Sequence, residues 1–176
     1  MYKTDASAVA YSYNLLLLVL LFGTSLPLQA KGTNAIGKVL TAQGLVEARD
    51  ANGLLRALTR RSEVFEADTI LVGADGFTQV RMVDDAQISL QANTEFSFNT
   101  YAFDANSATP DSAAMSMIRG GFRTISGTIG DADEDGYRLD TPYASIGIRG
   151  TAHSGVIVAG VLYTGVSEGG TTVSNN

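Results

Sequence analysis

The sequence has no cysteine and no tryptophan, and it has one histidine and three prolines among its 176 residues. A chain without cysteine forms no disulfides and carries no lipid-modified cysteine, so its stability must come from its hydrophobic core. A zinc site of the usual histidine and cysteine ligands is excluded too. The one histidine, His153, precedes Ser154. Because adjacent residues on a strand point to opposite faces, we predict a structural or surface role for His153 rather than nucleophilic catalysis.

A hydrophobic run long enough to span a membrane is also missing near the amino terminus. The run from Leu15 to Phe22 has eight residues, whereas a membrane-spanning helix needs about 20. Lys3 precedes this run, and Gly23, Pro27 and then Leu28-Gln29-Ala30 follow it, as at the end of a secretory signal. We therefore predict a signal peptide over residues 1–30, cleaved after Ala30, and a periplasmic protein. The alternative is an uncleaved signal that anchors the chain in the inner membrane.

Basic residues are scarce. Lys3 and Asp5 are the only charged residues of the predicted signal, so the remaining 146 residues carry 11 Lys and Arg against 17 Asp and Glu. A chain of this length is expected to form one domain, which we assign to residues 31–176. Its acidic balance, with scattered basic residues, argues against nucleic acid or anionic lipid as a partner. We expect an envelope protein or a glycan as partner, and membrane contact only through an uncleaved signal.

Short alternating runs fill the chain after the signal, and no window of a dozen residues has apolar side chains at helical spacing. Alternation with a period of two is typical of antiparallel strands with one face in a core. In residues 68–101, with a turn at Asp84-Asp85, the side chains predicted to face inward are Thr78, Val80, Met82, Ala86, Ile88, Leu90, Phe96 and Phe98. The fold predicted is all-β, a single antiparallel β-sandwich or β-roll domain. Residues 37–49 and 54–58 should form a hairpin around Asn52-Gly53.

The second half of the chain gives weaker strand patterns. We predict strands over residues 114–118, 122–129, 137–139, 144–148, 156–158 and 161–166, with an exposed loop over 104–112 and a turn at Gly120-Gly121. The run from Gly155 to Tyr163 is almost continuously apolar, which is typical of a strand covered on both faces. This hairpin is therefore predicted to lie in the middle of the core.

Three segments carry a resemblance to a known family. They are residues 68–103, the block Arg119–Gly127, and the block Thr141–Thr151, which reads TPYASIGIRGT. Together they resemble the FecR domain family. The most specific motif residues are Thr141, Pro142, Gly147, Arg149, Gly150 and Thr151. The family's usual Gly-Asp before the first strand is Ala67-Asp68 here, and its usual Asp-Gly turn is Asp84-Asp85.

The resemblance implies a periplasmic β domain of the kind found in regulators that relay iron-siderophore signals to a sigma factor across the inner membrane. Such a regulator is expected to have a cytoplasmic anti-sigma segment, and only fourteen residues precede Leu15. The chain therefore resembles stand-alone exported FecR-like proteins more than the complete regulators.

Arg149 lies on a strand that is predicted to be buried, and a buried arginine needs a carboxylate or carbonyl partner. We favour an ion pair with Asp140 or Glu168 that fixes the strand register. Loss of such a pair costs about 3 to 5 kcal/mol. Capture of an anionic ligand is the alternative.

Asp131, Asp133 and Asp135, followed by Gly136, match the opening of a calcium-binding loop. The twelfth position of that loop is Pro142 instead of a bidentate Glu. We favour an acidic turn between two strands, with weak calcium binding as the alternative, and expect no other metal or cofactor.

We predict no catalytic activity. The function predicted is that of a periplasmic FecR-like binding or sensor module of the cell envelope, with its ligand and oligomeric state open. Two alternatives stay open. One is a structural or assembly protein that pairs an edge strand, such as Phe96–Tyr101, with a partner protein. The other is a regulator in transmembrane iron-type signalling.

Overall fold

The computed structural model describes residues 34–106, 110–132 and 136–175, without the side chains of 132 and 149–151. The predicted signal peptide, Asp133 and Asp135 lie outside this description. No helix in the described ranges has the length and apolar character needed to cross a membrane.

The described residues form strands almost throughout, which confirms the all-β prediction. The strands are β1 (Ala35–Gln43), β2 (Val46–Arg49), β3 (Leu55–Ala57), β4 (Glu63–Phe65), β5 (Thr69–Val72), β6 (Phe77–Met82), β7 (Gln87–Leu90), β8 (Glu95–Ala102), β9 (Ser112–Ile125), β10 (Tyr137–Asp140), β11 (Ala144–Val158) and β12 (Val161–Asn175). The one described helix is α1 (Thr128–Ala132).

All of these strands belong to one hydrogen-bonded sheet. Its path runs β3-β2-β5-β8-β9-β7-β6-β1-β4, and β10, β11 and β12 join it through β9. The described pairs are antiparallel except β9 with β10, which is parallel. The buried apolar side chains form one cluster, so the sheet wraps around a single core.

The meander β6–β7–β8 follows its sequence pattern. Every side chain predicted to face inward in this region is buried, and the side chains that alternate with them within the strands are partly or fully exposed. The rings of Phe96 and Phe98 lie 5.4 Å apart in an edge-to-face arrangement, and the ring of Phe122 from β9 lies 6.2 Å from that of Phe96. These aromatic rings contribute much of the buried apolar area.

Of the hairpin predicted over residues 37–58, only the part from β2 to β3 forms. Strands β2 and β3 pair around a turn in which the Gly53 N–H donates to the Asp50 carbonyl at 2.9 Å. Gly44, at a φ of 62°, separates β1 from β2, so residues 37–49 form two strands rather than one.

Strand β9 changes its partner strands at Gly120. Residues before Gly120 pair with β8, and the residues from Gly120 onward pair with β7 and β11. The φ of Gly120 is 94°, and a Cβ there would lie 2.3 Å from Thr94 Oγ1, so only glycine fits. Thr94 Oγ1 also accepts the Gly121 N–H at 3.0 Å. The predicted turn at Gly120-Gly121 is therefore wrong, because these residues bend one continuous strand.

The strand predicted over residues 122–129 is wrong at its end. Strand β9 stops at Ile125 and α1 begins at Thr128. The Thr128 N–H donates to the Asp84 carbonyl at 2.9 Å, and the Ile129 N–H donates to Asp84 Oδ2 at 3.3 Å. The buried Asp84 thus satisfies N–H groups at the start of a helical turn, which have no partner within the helix.

The tip of the hairpin β11–β12 does not lie in the core, although Ile146 and Ile148 of β11 do. The exposed fractions of Val158, Val161 and Tyr163 are 53%, 49% and 57%, and no residue of β12 is buried. The prediction of a hairpin covered on both faces is therefore wrong. Among the described strands, β12 pairs only with β11, and none of them covers its other edge.

Candidate functional site

Thr141 and Pro142 form the turn from β10 to β11. The buried Thr141 accepts the Ala144 N–H at its Oγ1 at 3.0 Å, and its own N–H donates to the Ala144 carbonyl at 2.9 Å. Pro142 is exposed in the same turn. The opening of the family motif therefore has a structural role in reversing the chain.

Gly147 and Arg149 lie on β11, opposite Thr172 and Gly170 of β12. A Cβ on Gly147 would lie 2.7 Å from Thr172 Oγ1, so this glycine permits the close approach of β12. The side chains of Arg149, Gly150 and Thr151 lie outside the described residues. The buried ion pair of Arg149 stays a prediction.

The two carboxylates proposed as partners for Arg149 differ in their surroundings. Asp140 accepts hydrogen bonds from Arg138 Nε at 2.8 and 2.9 Å and from Ser145 Oγ at 2.6 Å. Glu168 is exposed and lies opposite Ala152.

Of the candidate calcium ligands, Asp131 alone is described. It lies in α1 rather than in a turn between strands, and its Oδ1 accepts a hydrogen bond from Ser126 Oγ at 2.9 Å. Within the described ranges, no three His, Asp or Glu side chains are grouped in a way that would hold a metal ion. Calcium binding stays untested, since Asp133 and Asp135 are not described.

His153 is buried in an aromatic environment. Its Nε2 lies 3.3 Å from the Tyr137 hydroxyl, and its ring packs edge-to-face against Phe122 at 5.3 Å. Burial lowers the pKa of His153 to about 4, and burial also raises the pKa of Tyr137. His153 is therefore neutral at pH 7. Ser154 Oγ points away from it, 3.4 Å from the Gly165 carbonyl, so the two side chains do not form a nucleophile and base pair.

Residues 165–169 read Gly-Val-Ser-Glu-Gly, the spacing of the nucleophile elbow of serine hydrolases. This segment lies within β12, which pairs with β11, and Gly169 at its end has a φ of 80°. A nucleophile elbow needs a sharp turn from a strand to a helix, which β12 does not have. The segment therefore matches the sequence motif of a nucleophile elbow but does not have its geometry.

The ion pair between Arg56 and Asp68 was not predicted from the sequence. Asp68 is 1% exposed, and its Oδ2 accepts the Phe65 N–H at 2.7 Å in addition to Arg56 Nη2. Burial raises the pKa of Asp68, while the hydrogen bond from Phe65 and the charge of Arg56 oppose that rise. The pair joins β3 to the start of β5.

Comparison with protein families gives one match. The model described as FecR protein matches residues 68–171, which is more than half of the chain. The chain belongs to the FecR family. No curated protein and no solved structure matches it. FecR proteins are regulatory, so membership indicates a protein of the cell envelope related to signalling or sensing.

The FecR domain of this chain departs from the family pattern at two left-handed positions. Ala67 has a φ of 66° and Asp85 has a φ of 71°. The resemblance places glycine at both positions, and glycine adopts such angles without steric cost. Strain at these two turns is the structural consequence of the substitutions.

The FecR domain presents its long edge at β12 rather than at the strand suggested from sequence. The segment Phe96–Tyr101 belongs to β8, which lies between β5 and β9, so it is not an edge strand. Strand β12 is 15 residues long and, within the part of the chain that the structure describes, pairs on one side only. The side chains of Val161, Tyr163, Val166 and Val173 are exposed along it.

Proposed function

We propose that this FecR domain is a non-enzymatic binding module of the periplasm that recognises a partner protein by strand addition along β12. The observation that supports the proposal is the unpaired edge of β12, which offers backbone N–H and C=O groups over about 50 Å. In strand addition, these groups bond to an extended segment of the partner.

The composition of β12 favours such pairing. Soluble proteins usually protect an exposed edge with Lys, Pro or inward-pointing charges. Strand β12 contains no Lys, Arg or Pro, and Glu168 is its one charged residue. The exposed Tyr163 and Val166 give a partner strand apolar side chains to pack against. Specificity would come from these side chains, and affinity from the backbone hydrogen bonds.

The non-enzymatic part of the proposal is supported by His153 and Ser154. His153 is the one histidine of the chain, it is buried and neutral, and it contacts Tyr137 and Phe122 rather than a groove. General acid–base catalysis needs a group within reach of bound substrate. Because His153 is buried, it is not placed to exchange protons with a bound substrate.

A photo-crosslinking residue placed at Tyr163 tests the proposal in intact cells of the source. The matched control carries the same residue at Ile118, which is 56% exposed on β9. We expect a discrete protein adduct from position 163 and none from position 118. A second substitution, Val166→Lys, should remove the adduct, because a lysine on the edge opposes strand pairing.

Adducts of equal yield from positions 163 and 118 would contradict the proposal. So would an adduct at position 163 that survives Val166→Lys. An adduct of twice the mass of the chain would show that the partner is a second copy of this protein and not a different protein.

A further inference from the structure

A groove on the outer face of β1 concentrates positive charge. It has a volume of about 560 Å³ and lies between β1, the turn that joins β3 to β4, and β6. Four basic residues line it, Lys38, Arg60, Arg61 and Arg81, against one carboxylate, Glu63. These four are a third of the 12 Lys and Arg of a chain whose net charge is −6. The local charge of the groove is opposite in sign to that of the protein.

The strand register brings like charges together in this groove. Lys38 lies directly opposite Arg81 on β6 and opposite Glu63 on β4. Like charges directly opposite each other on neighbouring strands are destabilising. Glu63 offsets one of these charges, and Arg81 also pairs with Asp85 at 2.8 Å. Among the described residues, Lys38, Arg60 and Arg61 have no ion-pair partner. Glu63 and Asp85 together balance two of the four positive charges, so the fold leaves the other two without a compensating carboxylate.

Arg60 and Arg61 lie on a turn that is fixed by hydrogen bonds. The Arg61 N–H donates to the Val39 carbonyl at 2.8 Å, and the Val39 N–H donates to the Ser62 carbonyl at 2.9 Å. Within the turn, the Thr59 N–H donates to Ser62 Oγ at 2.9 Å. These bonds fix the backbone of the two adjacent arginines beside β1, and the two side chains extend from it into solvent. Binding therefore has to order the arginine side chains but not the turn that carries them.

The backbone of Arg61 is in the left-handed region, with a φ of 75°. Glycine or asparagine would occupy this position at less steric cost, whereas arginine there is strained. Strained positions of this kind occur often at binding sites, where the side chain is needed. The position of Arg61 therefore favours a role for its guanidinium in binding over a role in the turn.

We propose that this groove is a binding site for a ligand that carries two or more phosphate groups. Arginine forks match phosphate oxygens in pairs, and a lysine adds a point charge beside them. Leu40 and Val83, which are 37% and 46% exposed, line the same groove and fit an apolar or sugar portion of the ligand. The site shares no residue with β12, so it does not depend on strand pairing there.

Titration calorimetry of the full chain with inorganic tripolyphosphate tests the site. We expect saturable binding at physiological salt, and a loss of affinity of about tenfold or more in R60Q/R61Q. The matched control is R119Q/R123Q, which removes the same charge from two exposed arginines of β9 outside the groove. The control should bind tripolyphosphate as the unsubstituted chain does.

Arg61→Gly separates binding from folding. Because glycine relieves the left-handed strain at this position, we expect an equal or higher melting temperature together with weaker tripolyphosphate binding. Absence of tripolyphosphate binding, or an equal loss of affinity in the control, would overturn the site. Equal affinity for citrate would overturn the assignment to phosphate.

Discussion

Asp68 receives the guanidinium of Arg56 at one oxygen while its own carboxylate is almost completely buried. Arg56 also donates to the Glu63 carbonyl at 2.9 Å and lies over the ring of Phe65 at 5.2 Å. The Arg56 side chain thus contacts two residues of β4, Glu63 and Phe65, and also Asp68, which directly precedes β5. The edge of the sheet at β3 depends on this arginine.

Substitution of Arg56 by leucine should destabilise the domain by about 2 kcal/mol, because it leaves the buried Asp68 carboxylate without its cation. The value is below that of a fully buried pair because the Arg56 side chain is 31% exposed. Urea denaturation at pH 7 measures the change. Arg49→Leu, which breaks the more exposed pair with Glu95, is the control and should cost less than about 1 kcal/mol. Equal costs for both substitutions would contradict this account.

Tyr101 is the partner of the second buried carboxylate, Asp84. Its hydroxyl donates to Asp84 Oδ1 at 2.6 Å, and burial raises the pKa of Tyr101. Tyr101→Phe removes this donor and keeps the ring, so we expect a loss of about 1 to 3 kcal/mol in the free energy of unfolding. Tyr143→Phe, at an exposed tyrosine in the β10–β11 turn, should change stability by less than about 0.5 kcal/mol. A neutral Tyr101→Phe would show that the Asp84 contacts with α1 suffice.

His153 should make stability depend on pH between about 4 and 6.5. Its pKa is about 4 in the folded state, whereas it is 6.5 in the unfolded chain. The unfolded state therefore binds more protons in this window, and stability falls as the pH is lowered through it. The contribution is complete above pH 6.5, and about 3 kcal/mol is lost by pH 4. Chemical denaturation at pH 7 and pH 5 measures the slope.

His153→Gln is the control for that slope, because glutamine does not titrate. Asp68 acts in the opposite direction. Its raised pKa means that the folded state binds more protons than the unfolded chain above the ordinary pKa of 3.8, so its contribution decreases as the pH rises. Asp68 is present in both proteins, and its effect cancels in their difference. If both proteins lose the same stability between pH 7 and pH 5, His153 is not the titrating group.

Ala67→Gly should stabilise the domain by about 0.5 to 1 kcal/mol. The φ of 66° at Ala67 strains an alanine and not a glycine, and the relief exceeds the greater entropy of glycine in the unfolded chain. Thermal unfolding measures the change. Ala57→Gly on β3, where the backbone is extended, should instead destabilise by about 0.5 to 1 kcal/mol. A loss of stability on Ala67→Gly would show that the methyl group has a packing role.

The meander from Thr69 to Tyr101 could be predicted in detail, because each of its strands has one buried and one exposed face. The hairpin β11–β12 could not. A continuous apolar run such as Gly155–Tyr163 looks the same in sequence whether the fold covers it or leaves it exposed. Its position depends on which strand pairs beside β11, and that pairing is not a local property of the sequence.

The buried polar contacts could not be predicted from the sequence pattern either. Asp68 and Asp84 both lie next to turns, where acidic residues are usually exposed, yet both are buried. Their partners, Arg56 and Tyr101, are 12 and 17 residues away. The groove at Lys38 has the same origin, since residues from β1, β6 and the Arg60-Arg61 turn meet only in the folded sheet. The adjacent residues Arg60 and Arg61 are the one feature of this groove that is visible in the sequence alone.

The one-sided pairing of β12 has a mechanical consequence. Asn175 lies opposite Ala144 at one end of the β11–β12 hairpin, and Val161 lies opposite Val158 at the other. Tension applied at residue 175, with the body of the sheet held, loads these hydrogen bonds one after another, as in opening a zipper. Strand β12 would then peel away at low force while the core cluster around Phe96 and Phe98 keeps its packing. A partner attached to β12 would therefore pull on a strand that, among the described strands, is held by β11 alone.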